Sequence, residues 1–333
     1  MFLTFVVVPI LLIWGVKGHT KTFTLKVSNF MPPQHIMSKM LEEWGKEIEK
    51  RTSGVVKINV FSGGTLTPPQ QIFDGVIAGI SDAGLSVFAY TPGRFPVMEG
   101  FEWPSGYTKA LQGSKAVNDF FKTFKPKELT DVHVCYLFVG GPSMIHTKSP
   151  VQSLGDLKGK RIRATGNSQR LIKALGAVPV ALTQGDVYDA LGKGLIEGNL
   201  VAVEALYTFK QYEVCKYTTL HTRTYWPTAF YVVMNLKTWN SFPEDTKTII
   251  TALNEEWAVK TGKTWDDDDS RAIKQLEKVG HKFISLSNDE QTRWADAAQI
   301  VKQQYVEYAN SKGLEGAKIV ESAKRLVDKY QTE

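Results

Sequence analysis

The chain has 333 residues, of which 43% are hydrophobic and 22% charged, with a net charge of +6. That length supports a large core and more than one typical domain, and no long tract is depleted enough in apolar residues to stay disordered. The basic residues are dispersed among Asp and Glu, and their densest group, Lys158, Lys160, Arg161 and Arg163, sits in and before a strand-like stretch. This pattern excludes a nucleic-acid partner and describes a solvated, mildly basic surface.

Residues 2–16 are almost continuously apolar and are followed by Lys17 and Gly18-His19-Thr20. The run has the length of a signal-peptide core, about 7–15 residues, and is short of the roughly 20 that a membrane span needs. A leader over residues 1–20, cleaved close to Thr20, is therefore expected. An uncleaved anchor is the rival reading, because no Lys or Arg precedes the run. No Cys lies near the cleavage point, which argues against a lipoprotein, and no later segment reaches 18 apolar residues, so the mature chain is expected not to be embedded in a membrane.

Phe23, Leu25 and Val27 alternate with polar neighbours and predict a strand. After Pro32-Pro33, the spacing of Ile36, Met40, Trp44 and Ile48 predicts an amphipathic helix that ends near Thr52-Ser53-Gly54. Val56, Ile58 and Val60 predict the next strand. Thr67 is expected to cap a helix carrying Ile72, Phe73, Val76, Ile77 and Ile80, and residues 83–88 form a third strand. This βαβαβ order favours parallel pairing. Strand-like runs follow at 132–138 and 215–220, around Cys135 and Cys215. A second α/β unit begins after Pro142: strands at 160–164 and 178–182, helices at 169–175 and 188–195, and a β-rich run over 225–235. From Glu244 the pattern is helical almost to the end. No Gly/Ser/Pro-rich linker joins the two units, which implies that β strands cross between them and form the hinge.

Catalytic motifs are scarce. There is no Gly-x-Ser-x-Gly and no phosphate-binding Gly-x-x-x-x-Gly-Lys-Ser/Thr. Gly192-Lys193-Gly194-Leu195-Ile196-Glu197-Gly198 has one residue too many for a dinucleotide fingerprint and follows a helix, so it reads as a helix stop and turn. The six histidines show no metal-ligand spacing, and the run Asp266 to Asp269 lacks the Gly and distal Glu of a calcium loop, so it reads as a solvated helical face. No cofactor, no metal and no enzyme activity are expected. The two cysteines leave two readings open: a Cys135–Cys215 disulfide, as in exported chains, or two buried thiols.

What remains is suited to binding. Phe30-Met31-Pro32-Pro33-Gln34-His35 leaves the first strand and Ser86-Val87-Phe88 ends the third, where ligands of open α/β sheets sit. Arg163 ends the strand Lys160-Arg161-Ile162-Arg163, where a guanidinium can hold a carboxylate by two parallel hydrogen bonds; the pattern alone is equally that of a surface residue in a basic patch.

The run Asp156-Leu157-Lys158-Gly159-Lys160-Arg161-Ile162-Arg163 resembles a segment of the solute-binding proteins of TRAP (tripartite ATP-independent periplasmic) transporters, with Arg161 where that family has Lys. Leu66-Thr67-Pro68-Pro69-Gln70-Gln71 with Asp74-Gly75-Val76, then Gly79-Ile80-Ser81-Asp82-Ala83-Gly84 and Pro92-Gly93-Arg94-Phe95-Pro96, are similar to its first lobe. Val187-Tyr188-Asp189-Ala190-Leu191 and Gly194-Leu195-Ile196-Glu197-Gly198 are similar to its second. The resemblance spans nearly the whole chain from Phe23.

The resemblance implies a two-lobed periplasmic binding protein fold of α/β class, with β-strand hinges and a long C-terminal helical segment. The first lobe is expected over 21–140 plus about 232–265, and the second over 141–231 plus about 266–333. It implies a periplasmic receptor for a small organic carboxylate, with TRAP membrane subunits as partners and Arg163 as the carboxylate anchor. A receptor of an ATP-driven importer and a periplasmic enzyme on the same scaffold are the alternatives. Phe30, Gln34, His35, Ser86, Phe88, Val201 and Trp226 are expected at the ligand, and Ser143, Leu182 and Glu204 complete the set. Val201 stands where many members have Asn. With the aromatics Phe30, Phe88, Trp103, Tyr107 and Trp226 and a single arginine anchor, this predicts a monocarboxylate with an apolar, aromatic body. A dicarboxylate would carry an unpaired buried charge.

Overall fold

Alternation of buried and exposed side chains starts the first sheet at β1 (Phe23–Asn29). The helix α1 (Ile36–Arg51) follows; it buries Met37, Met40, Leu41, Trp44 and Ile48 on one face, and the His35 Nδ1 accepts the Met37 amide at its N-terminus. Next come β2 (Val56–Phe61), α2 (Ile72–Ile77), β3 (Ala83–Val87), α3 (Ala110–Phe124) and β4 (Val132–Val139). Thr67 does not cap a helix; its hydroxyl bonds Ser28 at 2.7 Å. The computed structural model describes residues 22–331, so the expected leader lies outside the described residues.

The second unit runs β5 (Ser143–Thr147), α4 (Leu154–Leu157), β6 (Arg161–Arg163), α5 (Ser168–Ala174), β7 (Val178–Val180), α6 (Val187–Gly192), β8 (Gly198–Ala202), α7 (Val203–Thr208) and β9 (Tyr217–Leu220). The chain then returns through β10 (Ala229–Asn235) and α8 (Leu236–Asn240) to the 35-residue α9 (Glu244–Lys278), β11 (Lys282–Ser285), α10 (Asn288–Ser311) and α11 (Gly316–Lys329). The first sheet has the order β2-β1-β3-β10-β4 and the second β11-β9-β5-β8-β6-β7. As the βαβαβ pattern requires, β1 pairs parallel with both β2 and β3. β10 enters antiparallel between β3 and β4.

Two strand crossings join the sheets side by side. One is the Gly140-Gly141-Pro142 step from β4 to β5; the other carries Trp226 to Thr228 into β10. They are tied by Gly140 N to Thr228 O (3.1 Å) and Ser143 N to Trp226 O (3.0 Å). α9 is a third link. Its run of four aspartates is not the solvated face expected from the sequence: only Asp267 is exposed. Asp266 accepts the amides of Ala110 and Leu111 and so caps α3, whereas Asp269 accepts the Glu204 amide at the start of α7. One helix thus caps elements of both lobes. Gly141 is required beside it, because a Cβ there would lie 1.6 Å from an Asp269 oxygen.

The C-terminal helices pack against both cores. Trp294, Ala298 and Val301 of α10 pack in the second lobe, but Tyr305 and Ala309 lie in the first, together with Ile319, Val320, Ala323 and Leu326 of α11. The apolar face of α11 closes over Phe101 and Phe120 rather than over the second sheet. Cys135 and Cys215 are separate buried thiols in different cores, not a disulfide. Among the described residues no helix is long and apolar enough to cross a membrane, and no group of three or more His, Cys, Asp or Glu side chains is placed to hold a metal ion.

Candidate binding cleft

Between the sheets, where the strand crossings meet α7 and α9, lies a cavity. The first lobe contributes Phe30, Tyr90 and Phe230 to its wall, and Trp265 of α9 closes one side. These aromatics are fixed by contact with one another: Phe230 stacks on Phe138 (4.8 Å between centroids), Trp265 tilts against Phe230 (5.1 Å), and Phe30 meets Tyr90 edge-on (5.3 Å). Trp226 and Ser143, paired across the hinge, add to the wall.

The second lobe contributes the polar groups. Arg163, 5% exposed, ends β6 facing the cavity. Its Nε donates to the Leu182 carbonyl at 2.9 Å, which fixes the plane of the guanidinium; Nη1 makes a long 3.5 Å contact with Asn199 Oδ1. Among the described residues no carboxylate forms an ion pair with it. Burial pulls its pKa down, opposed chiefly by the neighbouring Tyr90. Tyr90 is in turn pushed up by burial, with Arg163 acting against the shift. The same Tyr90 hydroxyl accepts the Gln184 amide at 3.1 Å and so ties the first lobe to the second. The Gln184 side-chain amide is buried at the cavity with neither atom hydrogen-bonded. A buried cation without a counter-ion, beside an open volume and an unpartnered amide, is an arrangement that an incoming carboxylate completes.

Glu204 opens α7, 2% exposed, and forms part of the wall. Its Oε2 lies 3.3 Å from His35 Nε2, an ion-pair distance between the lobes without hydrogen-bond geometry. Behind the wall, His146 Nε2 bonds the Val201 carbonyl (3.0 Å) and Nδ1 the Thr218 hydroxyl (2.8 Å). A carbonyl only accepts, so Nε2 carries the proton. Burial pulls His146 down to about 3.

Of the residues expected from the sequence, the cavity brings together Phe30, Ser143, Arg163, Val201, Glu204 and Trp226. Five stand elsewhere. Phe88 is a core residue packed on Phe95 and Tyr231, and the Ser86 hydroxyl donates to the Pro69 carbonyl; Val87, between them, faces the cavity. Leu182 contributes its carbonyl to Arg163 while its side chain borders an outer groove. Gln34 lines outer grooves, and His35 stands behind Glu204. Tyr107 belongs to the first-lobe core, and Trp103 packs between clusters of both lobes. Tyr90, Gln184, Phe230 and Trp265 carried no sequence signal that marked them for the site.

A family model described as bacterial extracellular solute-binding protein, family 7, matches residues 27–308. Among solved structures, a TRAP solute-binding protein from a marine metagenome, specific for aromatic acid ligands and bound to 3-hydroxybenzoate, is 30% identical with a TM-score of 0.89, covering 93% of this chain and 99% of that one. One from Rhodoferax ferrireducens T118, with copurified benzoate, is 26% identical with a TM-score of 0.88 and the same coverage. A Pseudomonas putida F1 protein with bound D-glucuronate, 22% identical with a TM-score of 0.79, shares the fold over 93% of this chain and 98% of its own.

Proposed function

This chain belongs to family 7 of the bacterial extracellular solute-binding proteins, those of TRAP transporters, and from that premise we propose that it captures a monocarboxylate with an apolar, aromatic body in the periplasm for the membrane subunits of a TRAP importer. The observation that carries this reading is the buried, unpaired Arg163 facing a cavity walled by Phe30, Trp226, Phe230 and Trp265. With Nε engaged by Leu182, the outer edge of the guanidinium is left to receive two carboxylate oxygens, and the Gln184 amide can add a donor. The rings desolvate the body of the ligand. The Val201 side chain offers no hydrogen bond, and no second cation borders the cavity among the described residues.

Binding couples to lobe closure because the ligand touches both halves: Arg163 and Gln184 belong to the second, Phe30 and Phe230 to the first. A ligand favours the closed arrangement only to the extent of its contacts with both. Nothing in this reading calls for a bond to be made or broken, and the protein is expected to return its ligand unchanged. A thermal-shift screen tests the reading. Benzoate-like and branched monocarboxylates should raise the melting temperature, and succinate and malate should not. Clear stabilisation by the dicarboxylates with none by the monocarboxylates would overturn it.

A further inference from the structure

We infer that Glu204 selects, among aromatic monocarboxylates, those that carry a hydroxyl on the ring, by accepting its proton at the end of the cavity away from Arg163. The inference rests on the reading of the cleft given above and adds a second polar contact to it. Glu204 is a buried carboxylate in the cavity wall. Its Oε2 is turned to His35 Nε2 at 3.3 Å. Its Oε1 receives no hydrogen bond from any described residue, although Asp269 holds the Glu204 backbone amide and so fixes the start of α7. A carboxylate oxygen left without a donor when the cleft closes loses its water and gains nothing, which is costly.

The position suits a ring substituent. Arg163 pairs with Asn199 in the ladder between β6 and β8. The strand then runs three residues to Ala202 before α7 begins, about 10 Å at the usual rise per residue. The wall between these two points is apolar, formed by Leu200, Val201 and Ala202 with the rings opposite. A benzoate whose carboxylate meets Arg163 therefore directs its far edge toward Glu204. A hydroxyl there donates to Oε1. A hydrogen atom leaves Oε1 bare, and a second carboxylate meets like charge.

Calorimetric titration of the intact mature protein with benzoate, 3-hydroxybenzoate, 4-hydroxybenzoate and isophthalate tests this at neutral pH. At least one hydroxybenzoate should bind at least about tenfold more tightly than benzoate, as expected for a hydrogen bond to a charged acceptor, and isophthalate should bind at least about tenfold more weakly. In Glu204→Leu the gain from the hydroxyl should vanish. In Glu204→Gln, whose amide can donate, the penalty on isophthalate should shrink. Benzoate binding as tightly as both hydroxybenzoates to the parent protein would overturn this inference alone, and needs no variant to fold. A gain from the hydroxyl that persists in a folded Glu204→Leu would also overturn it. Failure of all four ligands to bind would overturn the aromatic-acid reading and this inference with it.

Discussion

The two lobes divide the work of the cleft unevenly. The first presents rings that are already packed against one another, Phe230 on Phe138 and Phe30 on Tyr90, with Trp265 of α9 leaning on both Phe138 and Phe230. The second presents Arg163, Gln184 and Glu204 on a scaffold of buried histidines and threonines. Aromatic groups are stable when buried with or without ligand, whereas a buried unpaired guanidinium is not. The first lobe is therefore finished in advance, and the second is completed by the ligand.

The largest expected effect breaks the finished half. Trp265 is 2% exposed, touches Phe138 and Phe230, and stands so near Gly140 at the hinge that a Cβ there would meet its ring at 3.0 Å. Trp265→Ala should cost about 3–5 kcal/mol of stability, read by urea unfolding, and should weaken ligand binding as well.

Acid should separate the lobes. Burial pulls both His146 and His221, in the second lobe, from 6.5 to about 3. Below pH 6.5 the unfolded chain takes up protons that these native histidines refuse until about pH 3, so their contribution to stability is lost as the pH falls through that window. At pH 5 each forfeits about 2 kcal/mol. In the first lobe burial pulls His133 of β4 down to about 4, but this loss is opposed by Glu102, which burial pushes up from 4.5 to about 8 while its carboxyl accepts the Ala229 amide. Its native form keeps a proton that the unfolded chain sheds, so its contribution is present below pH 4.5 and is lost as the pH rises toward 8. Hydrogen exchange at pH 7 and pH 5, corrected for intrinsic rates, should show protection falling in β5, β8 and β9 but not in β3 and β10. A uniform change would contradict the division.

The smallest effect probes closure. Gly166 of the second lobe, at φ +53°, approaches Ala89 of the first so closely that a Cβ would lie 2.9 Å from its Cα. Gly166→Ala should weaken ligand binding by roughly tenfold while leaving each lobe folded, and scattering should report a more open average shape.

Much of this organisation was legible in the chain. The alternation in 23–27 and 56–60 and the fourfold spacing from Ile36 to Ile48 predict β1, β2 and α1 closely. Arg163 was legible through the motif around it. What escaped has physical reasons. β5 is buried at every position and shows no alternation, and β11 is four residues set between two long helices. At the end of β3 the strand was right and the parity wrong: successive side chains point to opposite faces, so Val87 meets the cavity while Ser86 and Phe88 face the other way. Tyr90, Gln184 and Trp265 come together only through lobe contact and the path of α9, which no local pattern encodes.

Titration of benzoate into the parent protein and into Arg163→Ala tests the central claim most directly. Removing one partner of a desolvated charge pair typically costs about 2–5 kcal/mol, so the variant should bind at least about thirtyfold more weakly. Its unliganded melting temperature should not fall, because the substitution removes a buried charge that has no counter-ion in the protein. Arg163→Lys should restore only part of the affinity, since an ammonium cannot reproduce the planar fork. Binding by a folded Arg163→Ala variant within about threefold of the parent would contradict the account.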